Sequence, residues 1–390
     1  MKYSIFIRGR GWAFQLADSL NKENKLKYIV TSYPKFLVKK HNVPIKKIKS
    51  IIFLEILVRG LRKINKYLKK NKFNFDPNLP VKITDWFADF IYSFFYLNNA
   101  DIFIIGFGNS NLKLIKKAKE KKIKTIYFLN NSAPLFREKL KIEYNKLGLQ
   151  ENYQKEDENL TRKINQCIRN ADFVGCISSF QRETYIDAGI LDRKKALTTI
   201  MGVDTSVFYP KKIYNDKFIV LGAGNDFVRK GFKYLIEGFN NLNLPNSELW
   251  LVGNLDRNVI NKVCKLNSNN YIYKSVNEFE LPKFYNQSSI FCLPTLEEGA
   301  PIVISQAMAC GLPVILTKNC QGPDVIDNGN NGFIVNEMDA LSISKQIKYL
   351  YDNPKKRLEM GISSAKYAKE KLSYDTMTKN ITNFIETQEH

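Results

Sequence analysis

The segment 290–317 contains the residues best suited to chemistry in this sequence. It reads as an apolar strand, an acidic loop, a short helix that ends at glycine and proline, and a second apolar strand. The loop puts Glu298 and Gly299 at the start of the helix, and Gln306 follows eight residues after Glu298. A carboxylate at such a corner can hold a sugar hydroxyl, and the backbone amides of Gly299 and Ala300 can bind an anion.

A second candidate segment is the turn at residues 222–231. Gly224 and Asn225 follow an apolar strand, and Arg229 and Lys230 precede a helix. Glycine permits a ligand to approach the backbone, and the two cations can neutralise a diphosphate at the helix N-terminus. Taken alone, such a pattern is more often a basic surface turn. Its presence in the same half of the chain as the acidic corner favours a diphosphate-binding site.

A third glycine-containing turn follows the first predicted strand and consists of Gly9, Arg10 and Gly11. The two glycines would let the backbone approach a diphosphate, or a second substrate, from the opposite side of a cleft. A tight turn without a ligand explains the same residues equally well. The sequence leaves both interpretations open.

Apolar runs alternate with amphipathic helical patterns along the whole chain. In the first half, a helix is predicted at 111–121 and strands at 2–7, 26–31, 101–106 and 124–129. In the second half, helices are predicted at 231–240, 277–286 and 302–310, and strands at 218–222, 248–252, 271–273, 290–293 and 314–316. This alternation is typical of an α/β protein with doubly wound parallel sheets.

The length of 390 residues suits two domains rather than one. We expect two facing Rossmann-like domains at 1–195 and 196–375, with a C-terminal helix at 376–390 that packs back on the first domain. Open α/β sheets bind ligands at the carboxyl ends of their strands. Both candidate segments therefore belong in a cleft between the two sheets.

Taken in order, these features resemble family 4 of the GT-B glycosyltransferases, also called glycosyl transferases group 1. The family pattern is an arginine, a Lys-Gly pair five residues later, and then two glutamates that bracket seven residues. Collinear similarity extends through most of residues 160–375, including 171–179, 202–210 and 332–335, whereas the N-terminal half is similar only in its alternation of strands and helices. The resemblance implies an N-terminal acceptor-binding domain and a C-terminal domain that binds a nucleotide-sugar.

The resemblance also implies roles for individual residues. Lys230 would contact the nucleotide diphosphate, Glu298 and its adjacent amides would hold the sugar, and this pair would be catalytic. The full set expected to bind the donor is Gly9, Gly11, Gly224, Asn225, Arg229, Lys230, Glu298, Gly299, Ala300 and Gln306.

Two positions depart from the family pattern. The family arginine falls on Asn225, for which Arg229 is a candidate substitute, and the second glutamate is Gln306. An amide can still bond a ribose hydroxyl, although a charge-assisted hydrogen bond is roughly twice as strong as a neutral one. The alternative is a helix residue that faces solvent between the domains. We expect a retained ribose contact with a weaker or altered nucleotide preference.

The sequence offers no obvious protein base. Family members often carry a histidine in the loop that corresponds to 130–134, where this chain has none, and His41 lies in a basic loop typical of a surface residue. Catalysis would then depend on charge stabilisation and positioning, with the leaving diphosphate taking the acceptor proton. Because the chain lacks an Asp-x-Asp motif and clustered His or Cys residues, we expect no metal and no cofactor besides the nucleotide-sugar substrate.

Positive charge is concentrated in residues 1–150, which carry 31 Lys and Arg against 10 Asp and Glu, whereas the whole chain has a net charge of +22. Within it, residues 45–72 predict a basic amphipathic helix, with an apolar stripe at Leu54, Leu57, Leu61, Ile64 and Leu68. Such a helix either packs its stripe on a sheet or lies on an anionic membrane, and the domain-wide charge favours the membrane. Without a signal peptide or spanning segment, we expect a cytoplasmic protein, peripheral on the inner face of the cell membrane.

These features favour a retaining, metal-independent glycosyltransferase that moves a sugar from a nucleotide-sugar to a lipid-linked or surface-polysaccharide acceptor. Asn225, Gln306 and the missing histidine keep open a GT-B protein without transferase activity, such as a sugar-nucleotide binder or an epimerase. A basic nucleic-acid-binding protein is a further alternative. It predicts stacking aromatics between basic residues or a reader motif, and because the sequence shows neither, we expect no nucleic-acid partner.

Overall fold

Two parallel β-sheets, one in each half of the chain, form the framework of the computed structural model. Each sheet consists of buried Val-, Ile- and Phe-rich strands, as expected when helices cover both faces. The structure describes residues 1–7, 11–38, 42–70, 83, 86–91, 93, 97, 100–106, 111–153, 157–211, 213, 215–274, 276–277 and 280–388.

The N-terminal sheet has seven strands, all paired in parallel in the order β3-β2-β1-β4-β5-β6-β7. The strands are β1 Tyr3–Ile7, β2 Leu26–Thr31, β3 Ile48–Ser50, β4 Ile102–Ile105, β5 Lys124–Phe128, β6 Phe173–Cys176 and β7 Ala196–Thr198. The helices with defined bounds are α1 Ala13–Lys22, α2 Ile52–Lys70, α3 Leu112–Glu120, α4 Glu138–Lys146, α5 Glu158–Asn170 and α6 Ser179–Asp187. Residues 86–91 are also helical.

The C-terminal sheet has six parallel strands in the order β10-β9-β8-β11-β12-β13. The strands are β8 Phe218–Ala223, β9 Ser247–Val252, β10 Asn270–Tyr273, β11 Ile290–Leu293, β12 Val314–Thr317 and β13 Gly332–Val335. The helices are α7 Phe232–Asn240, α8 Arg257–Val263, α9 Leu281–Gln287, α10 Ile302–Ala309, α11 Gly322–Val325, α12 Ala340–Asp352, α13 Pro354–Lys371 and α14 Tyr374–Thr387.

Both sheets reverse their strand order next to the first strand of the half, at β1–β4 and at β8–β11. In doubly wound sheets, ligands bind in the crevice outside the carboxyl ends of the strands at this reversal. The turn at 222–231 follows β8 and the corner at 294–301 follows β11. The α/β class with two Rossmann-like domains is therefore confirmed, and both candidate segments lie at the switch point of the second sheet.

Two predicted helices are wrong in extent. The helix predicted at 277–286 begins only at Leu281, where Pro282 in the first turn has no N–H that needs a partner. The amphipathic helix predicted from residue 45 begins at Ile52, because residues 45–47 form a 3₁₀ turn and β3 joins the edge of the sheet. Ile48 is 1% exposed there, so burial in the sheet overrides the helical pattern.

Two helices pack on the domain other than the one that they adjoin in the sequence. At the C-terminus, α14 buries Met377, Ile381 and Ile385 in the N-terminal core, beside α1. In the reverse direction, α4 contributes Leu140 and Tyr144 to the core of the C-terminal domain. The two domains are thus connected by crossed helices as well as by the linker.

Replacing Ile381 with alanine is expected to destabilise the N-terminal domain, although the residue follows the C-terminal domain in sequence. Ile381 is fully buried, and such truncations cost about 2–5 kcal/mol. Urea unfolding followed by fluorescence of Trp12, with Trp86 and Trp250 changed to phenylalanine, reports on the same core cluster. The matched control is Leu358→Ala on α13, because Leu358 is 66% exposed and its loss should change stability by less than about 0.5 kcal/mol. An unchanged midpoint for Ile381→Ala would refute this packing.

Candidate functional site

Two cations and a carboxylate meet where the turn at 222–231 faces the corner at 294–301. Glu298 Oε1 lies 2.7 Å from Lys230 Nζ and 2.9 Å from Arg229 Nη2. Lys230 is 6% exposed and Glu298 is 8% exposed. The interpretation of 222–231 as a basic surface turn is therefore wrong, and the two predicted segments form a single cluster.

Glycine is required at two positions for this cluster to form. Gly231 has a φ of +68°, and an added Cβ would lie 2.0 Å from the carbonyl oxygen of Pro294. Gly224 has a φ of +148°, and its Cβ would lie 2.6 Å from Lys230 Cε. Side chains rarely adopt such conformations, so glycine lets the turn touch the corner and lets the lysine pass beneath it.

The corner is held by hydrogen bonds to the turn and to the loop after β12. The Arg229 carbonyl accepts from Thr295 Oγ1 and from the amide of Leu296, both at 2.9 Å. The amide of Glu298 donates to the carbonyl of Asn319 at 3.0 Å. Backbone bonds on both sides therefore orient the Glu298 side chain without help from a ligand.

Arg229 is the charge at the centre of the cluster. Besides Glu298, it lies 3.9 Å from Glu297 Oε2 and 3.8 Å from Asp226 Oδ2. Burial lowers the pKa of Arg229, but the carboxylates of Glu298, Glu297 and Asp226 more than offset this, so the net shift is upward. The guanidinium therefore stays charged, and its planar fork of donors suits carboxylate or phosphate oxygens.

The loop at Gly299 and Ala300 is pressed against the N-terminal domain. The Gly299 carbonyl accepts from Ser178 Oγ at 2.6 Å, and an added Cβ would lie 2.7 Å from the Asn130 carbonyl oxygen. Within the part of the chain that the structure describes, the amides of Gly299 and Ala300 donate to no other group. Two backbone donors at the start of α10 thus remain available to a ligand.

Gln306 is buried, so the alternative that it faces solvent between the domains is wrong. It is 5% exposed, and its Oε1 accepts a hydrogen bond of 3.0 Å from the hydroxyl of the fully buried Tyr285. Its Nε2 donates to no group in the described ranges. The side chain therefore has one internal contact and one unused donor.

Asn225 and Gly11 take no part in the ion pairs of the charged cluster. Asn225 is exposed, and its Oδ1 accepts from the amide of Asn254 at 2.8 Å, which orders the neighbouring loop. Gly11 precedes α1, and an added Cβ would come no closer than 3.5 Å to Ile7, so packing does not demand glycine there. Gly9 and His41 lie outside the described residues.

Sequence reasoning missed Glu297, which is fully buried beside Glu298. Its Oε1 accepts from Ser132 Oγ at 2.5 Å and from the Ser132 amide at 3.2 Å. Ser132 lies in the loop after β5, where the sequence interpretation looked only for a histidine. The signal available in the sequence was the pair of adjacent glutamates at 297–298.

A cavity of about 1210 Å³ opens between the domains beside this cluster. The C-terminal domain lines it with residues 226–229 and Glu297, and the N-terminal domain contributes Asn131, Arg137 and Tyr153 among others. Burial lowers the pKa of the Arg137 guanidinium, while nearby Tyr185 and Glu297 oppose that shift. Of the predicted donor-binding residues, Arg229 lines the cavity. Its volume is slightly larger than that of typical small-molecule sites, which measure about 300–1,000 Å³.

The C-terminal half of the chain, which contains this cluster, is similar to a known protein family. Residues 205–367 match the family model described as glycosyl transferases group 1. The chain is 29% identical over 184 residues to the capsular polysaccharide biosynthesis glycosyltransferase CapM of Staphylococcus aureus, covering 45% of this chain and 48% of that protein. It spans about half the length of the curated relatives it matches.

Solved structures match over nearly the full chain. Sucrose-phosphate synthase from Thermosynechococcus elongatus superposes with a TM-score of 0.72 at 14% identity, covering 100% of this chain and 99% of that one. HepE from Anabaena, solved in complex with UDP-glucose, superposes with a TM-score of 0.67 at 14% identity, covering 99% and 100%. At this identity the likeness concerns the fold, and it confirms the predicted GT-B architecture.

Replacing Gly231 with alanine is expected to disrupt the cluster. The change forces a side chain into a left-handed conformation and against Pro294, which should together cost about 2–5 kcal/mol in unfolding free energy. Gly329→Ala is the matched control, because Gly329 has a φ of +78° with nothing within 4 Å of an added Cβ. The control should lose only about 1–2 kcal/mol in the same denaturant titration. Equal losses would show that contact with Pro294 does not constrain the turn.

Proposed function

Because residues 205–367 match the family model of glycosyl transferases group 1, we propose that this chain is a retaining, metal-independent glycosyltransferase. It transfers a sugar from a nucleoside diphosphate-sugar to a hydroxyl of a lipid-linked or surface-polysaccharide acceptor. The acceptor oxygen bonds to the anomeric carbon as the bond from that carbon to the diphosphate oxygen breaks. The hydroxyl proton passes to the leaving diphosphate.

The observation that carries this proposal is the shared contact of Arg229 and Lys230 with Glu298. An incoming diphosphate offers these cations several oxygens in place of one carboxylate. Glu298 is then released to accept hydrogen bonds from sugar hydroxyls at the same point. Charge-assisted bonds in a buried site are stronger than in water, which favours this exchange.

The donors at the site support the proposal that no metal ion is needed. Arg229 and Lys230 offset the charge that develops on the leaving diphosphate, and the unused amides of Gly299 and Ala300 add two dipoles. Preorganised donors of this kind stabilise a leaving group without a metal ion. The nucleotide-sugar is a substrate, and the proposal includes no cofactor.

For the nucleoside, we propose that Gln306 contacts the ribose as a donor. Tyr285 already occupies its Oε1, which leaves Nε2 to donate to a ribose oxygen. The family glutamate would accept hydrogen bonds at this position, so the polarity of the contact is reversed. A neutral bond of this kind should give weaker nucleotide affinity than a carboxylate gives.

The acceptor proposal rests on an exposed apolar surface of the N-terminal domain. On α2, Phe53, Ile56 and Ile64 are 57%, 64% and 56% exposed, whereas Leu54 is fully buried. The exposed basic residues Arg59 and Lys63 lie between them in sequence. The predicted stripe is thus only partly turned inward, and the outward face combines large apolar and basic residues, which suits an anionic membrane.

The segment 86–91 extends this pattern. Its Ala88 shares a buried cluster with Leu54 of α2, so both segments cover the same face of the sheet. Trp86 and Phe90 are 53% and 39% exposed on the outside. None of the helices in the described ranges is long and apolar enough to cross a membrane. We therefore propose peripheral association with the inner face of the cell membrane, where a lipid-linked acceptor is presented.

A nucleotide panel tests the donor site. UDP, GDP, ADP and their glucose conjugates are compared by thermal shift, and one of them should stabilise the parent protein. Lys230→Ala should weaken the binding of both the free nucleotide and its sugar conjugate roughly 10- to 150-fold, because each ligand loses a charged hydrogen bond. Glu298→Ala should weaken the binding of the sugar conjugate only, since Glu298 is proposed to contact the sugar.

Lys233→Ala is the matched control, because Lys233 pairs with Glu237 on the outer part of α7. The best donor is then incubated with polyprenyl diphosphate-linked N-acetylglucosamine in the presence of EDTA, and the anomeric configuration of the product is read by NMR. Retained configuration is expected. Failure of every nucleotide to stabilise the parent would overturn the donor site, and binding without transfer would favour a GT-B protein without transferase activity.

Vesicle sedimentation tests the membrane proposal. Phe53→Ser with Ile56→Ser should reduce partitioning onto vesicles containing phosphatidylglycerol at least about tenfold, because two large apolar side chains lose their burial. The control pair is Leu358→Ser with Ile362→Ser on α13, whose side chains are 66% and 63% exposed. Equal binding by the two double variants would contradict a specific role of α2. Phosphatidylcholine vesicles alone should bind less, since the basic residues then lack anionic lipid.

A further inference from the structure

We propose that Glu297 binds the reacting hydroxyl of the acceptor through its Oε2 atom. This inference rests on the proposed transferase function and adds an acceptor-side residue to it. It starts from the unequal hydrogen bonding of the two oxygens of the buried Glu297 carboxylate. The two oxygens of Glu297 have different surroundings, and one of them accepts no hydrogen bond from the residues that the structure describes.

Oε1 belongs to the contact between the domains. It accepts both hydrogen bonds from Ser132, at 2.5 and 3.2 Å, in the loop that follows β5. Oε2 is buried and accepts no hydrogen bond from the described residues. The nearest cation, Arg229 Nη1, is 3.9 Å away, beyond hydrogen-bond distance. A buried polar atom without a partner is costly, so Oε2 is poised to accept from a ligand.

The position of Oε2 indicates which ligand this is. Glu297 lines the cavity between the domains, together with Asn131 and Arg137 of the N-terminal domain. The adjacent Glu298 instead contacts Arg229 and Lys230 on the donor side. Both carboxylates approach the same guanidinium, since Glu297 Oε2 is 3.9 Å from Arg229 Nη1 and Glu298 Oε1 is 2.9 Å from Arg229 Nη2. A hydroxyl held by Glu297 would therefore lie next to the sugar held by Glu298.

The chemistry of the group defines the class of acceptor. A carboxylate oxygen accepts hydrogen bonds and repels phosphate oxygens, so the end of the acceptor at Glu297 is an uncharged sugar hydroxyl. Any phosphate of the acceptor must lie elsewhere in the cavity. Glu297 would orient the hydroxyl, and the proton still leaves with the diphosphate as proposed above.

The two oxygens allow the substrate contact to be tested apart from the domain contact. Glu297→Gln retains an oxygen for Ser132 and replaces the Oε2 acceptor with a donor. Ser132→Ala removes the serine hydroxyl and leaves Oε2 in place. If Glu297 only joins the domains, Ser132→Ala should be at least as harmful as Glu297→Gln.

The experiment measures transfer to polyprenyl diphosphate-linked N-acetylglucosamine and, without any acceptor, hydrolysis of the nucleotide-sugar by water. Glu297→Gln should lower kcat/KM for the acceptor roughly 10- to 150-fold, the loss expected for one charged hydrogen bond. Hydrolysis should fall as well, because water takes the place of the acceptor hydroxyl. Ser132→Ala should change both rates less than about threefold.

The thermal shift caused by the best nucleotide of the panel is measured in parallel. Both variants should keep most of the shift of the parent, because Glu297 Oε2 is 3.9 Å from Arg229 Nη1, beyond hydrogen-bond distance, and Ser132 contacts neither cation. Parental rates in Glu297→Gln, equal losses in both variants, or a lost nucleotide shift in Glu297→Gln would each overturn the inference. A parent protein that binds nucleotide but catalyses neither transfer nor hydrolysis would instead overturn the transferase function itself.

Discussion

The pairing of buried charges around Arg229 is the constraint on which the rest of the domain interface depends. Lys230, Glu297 and Glu298 are buried, and the Arg229 side chain that lies between the two glutamates is 25% exposed. Removing one partner of a buried pair typically costs about 3–5 kcal/mol, because it leaves an uncompensated charge. The turn after β8 and the corner after β11 must therefore keep their relative positions, and this requirement explains their dense backbone bonding. In the proposed function, a diphosphate enters this site because it replaces one anion with another.

The same constraint reaches the N-terminal domain through Glu297. Ser132 satisfies one of its oxygens, and Ser178 binds the carbonyl of Gly299 two residues further along the corner. The crossed packing of α4 and α14 holds the domains in this relation. Adjacent glutamates consequently face different neighbours, one toward the cations and one toward the opposite domain. In the proposed function, this geometry separates the donor side from the acceptor side.

The fold could be predicted well where local pattern and burial agree. Apolar runs such as those of β8 and β11 are buried throughout, so the strand prediction and the parallel sheets follow from the sequence. Prediction was wrong where an edge or a cap decided the outcome. Residues 45–50 follow a helical pattern, yet Ile48 is buried by pairing with β2, a contact distant in sequence. The helix start at Leu281 likewise depends on the local chemistry of Pro282.

The sequence by itself predicted that Lys230 and Glu298 belong together, from residue type, spacing and the glycines around them, and the two side chains are in contact. Tertiary structure alone decided how the remaining side chains are used. Gln306 does not face solvent, because it is buried and its oxygen accepts a hydrogen bond from Tyr285, 21 residues away. The two oxygens of Glu297 differ because Ser132, 165 residues away, donates hydrogen bonds to only one of them. Hydrogen-bond partners depend on distances in space, and spacing along the chain does not encode those distances for residues so far apart.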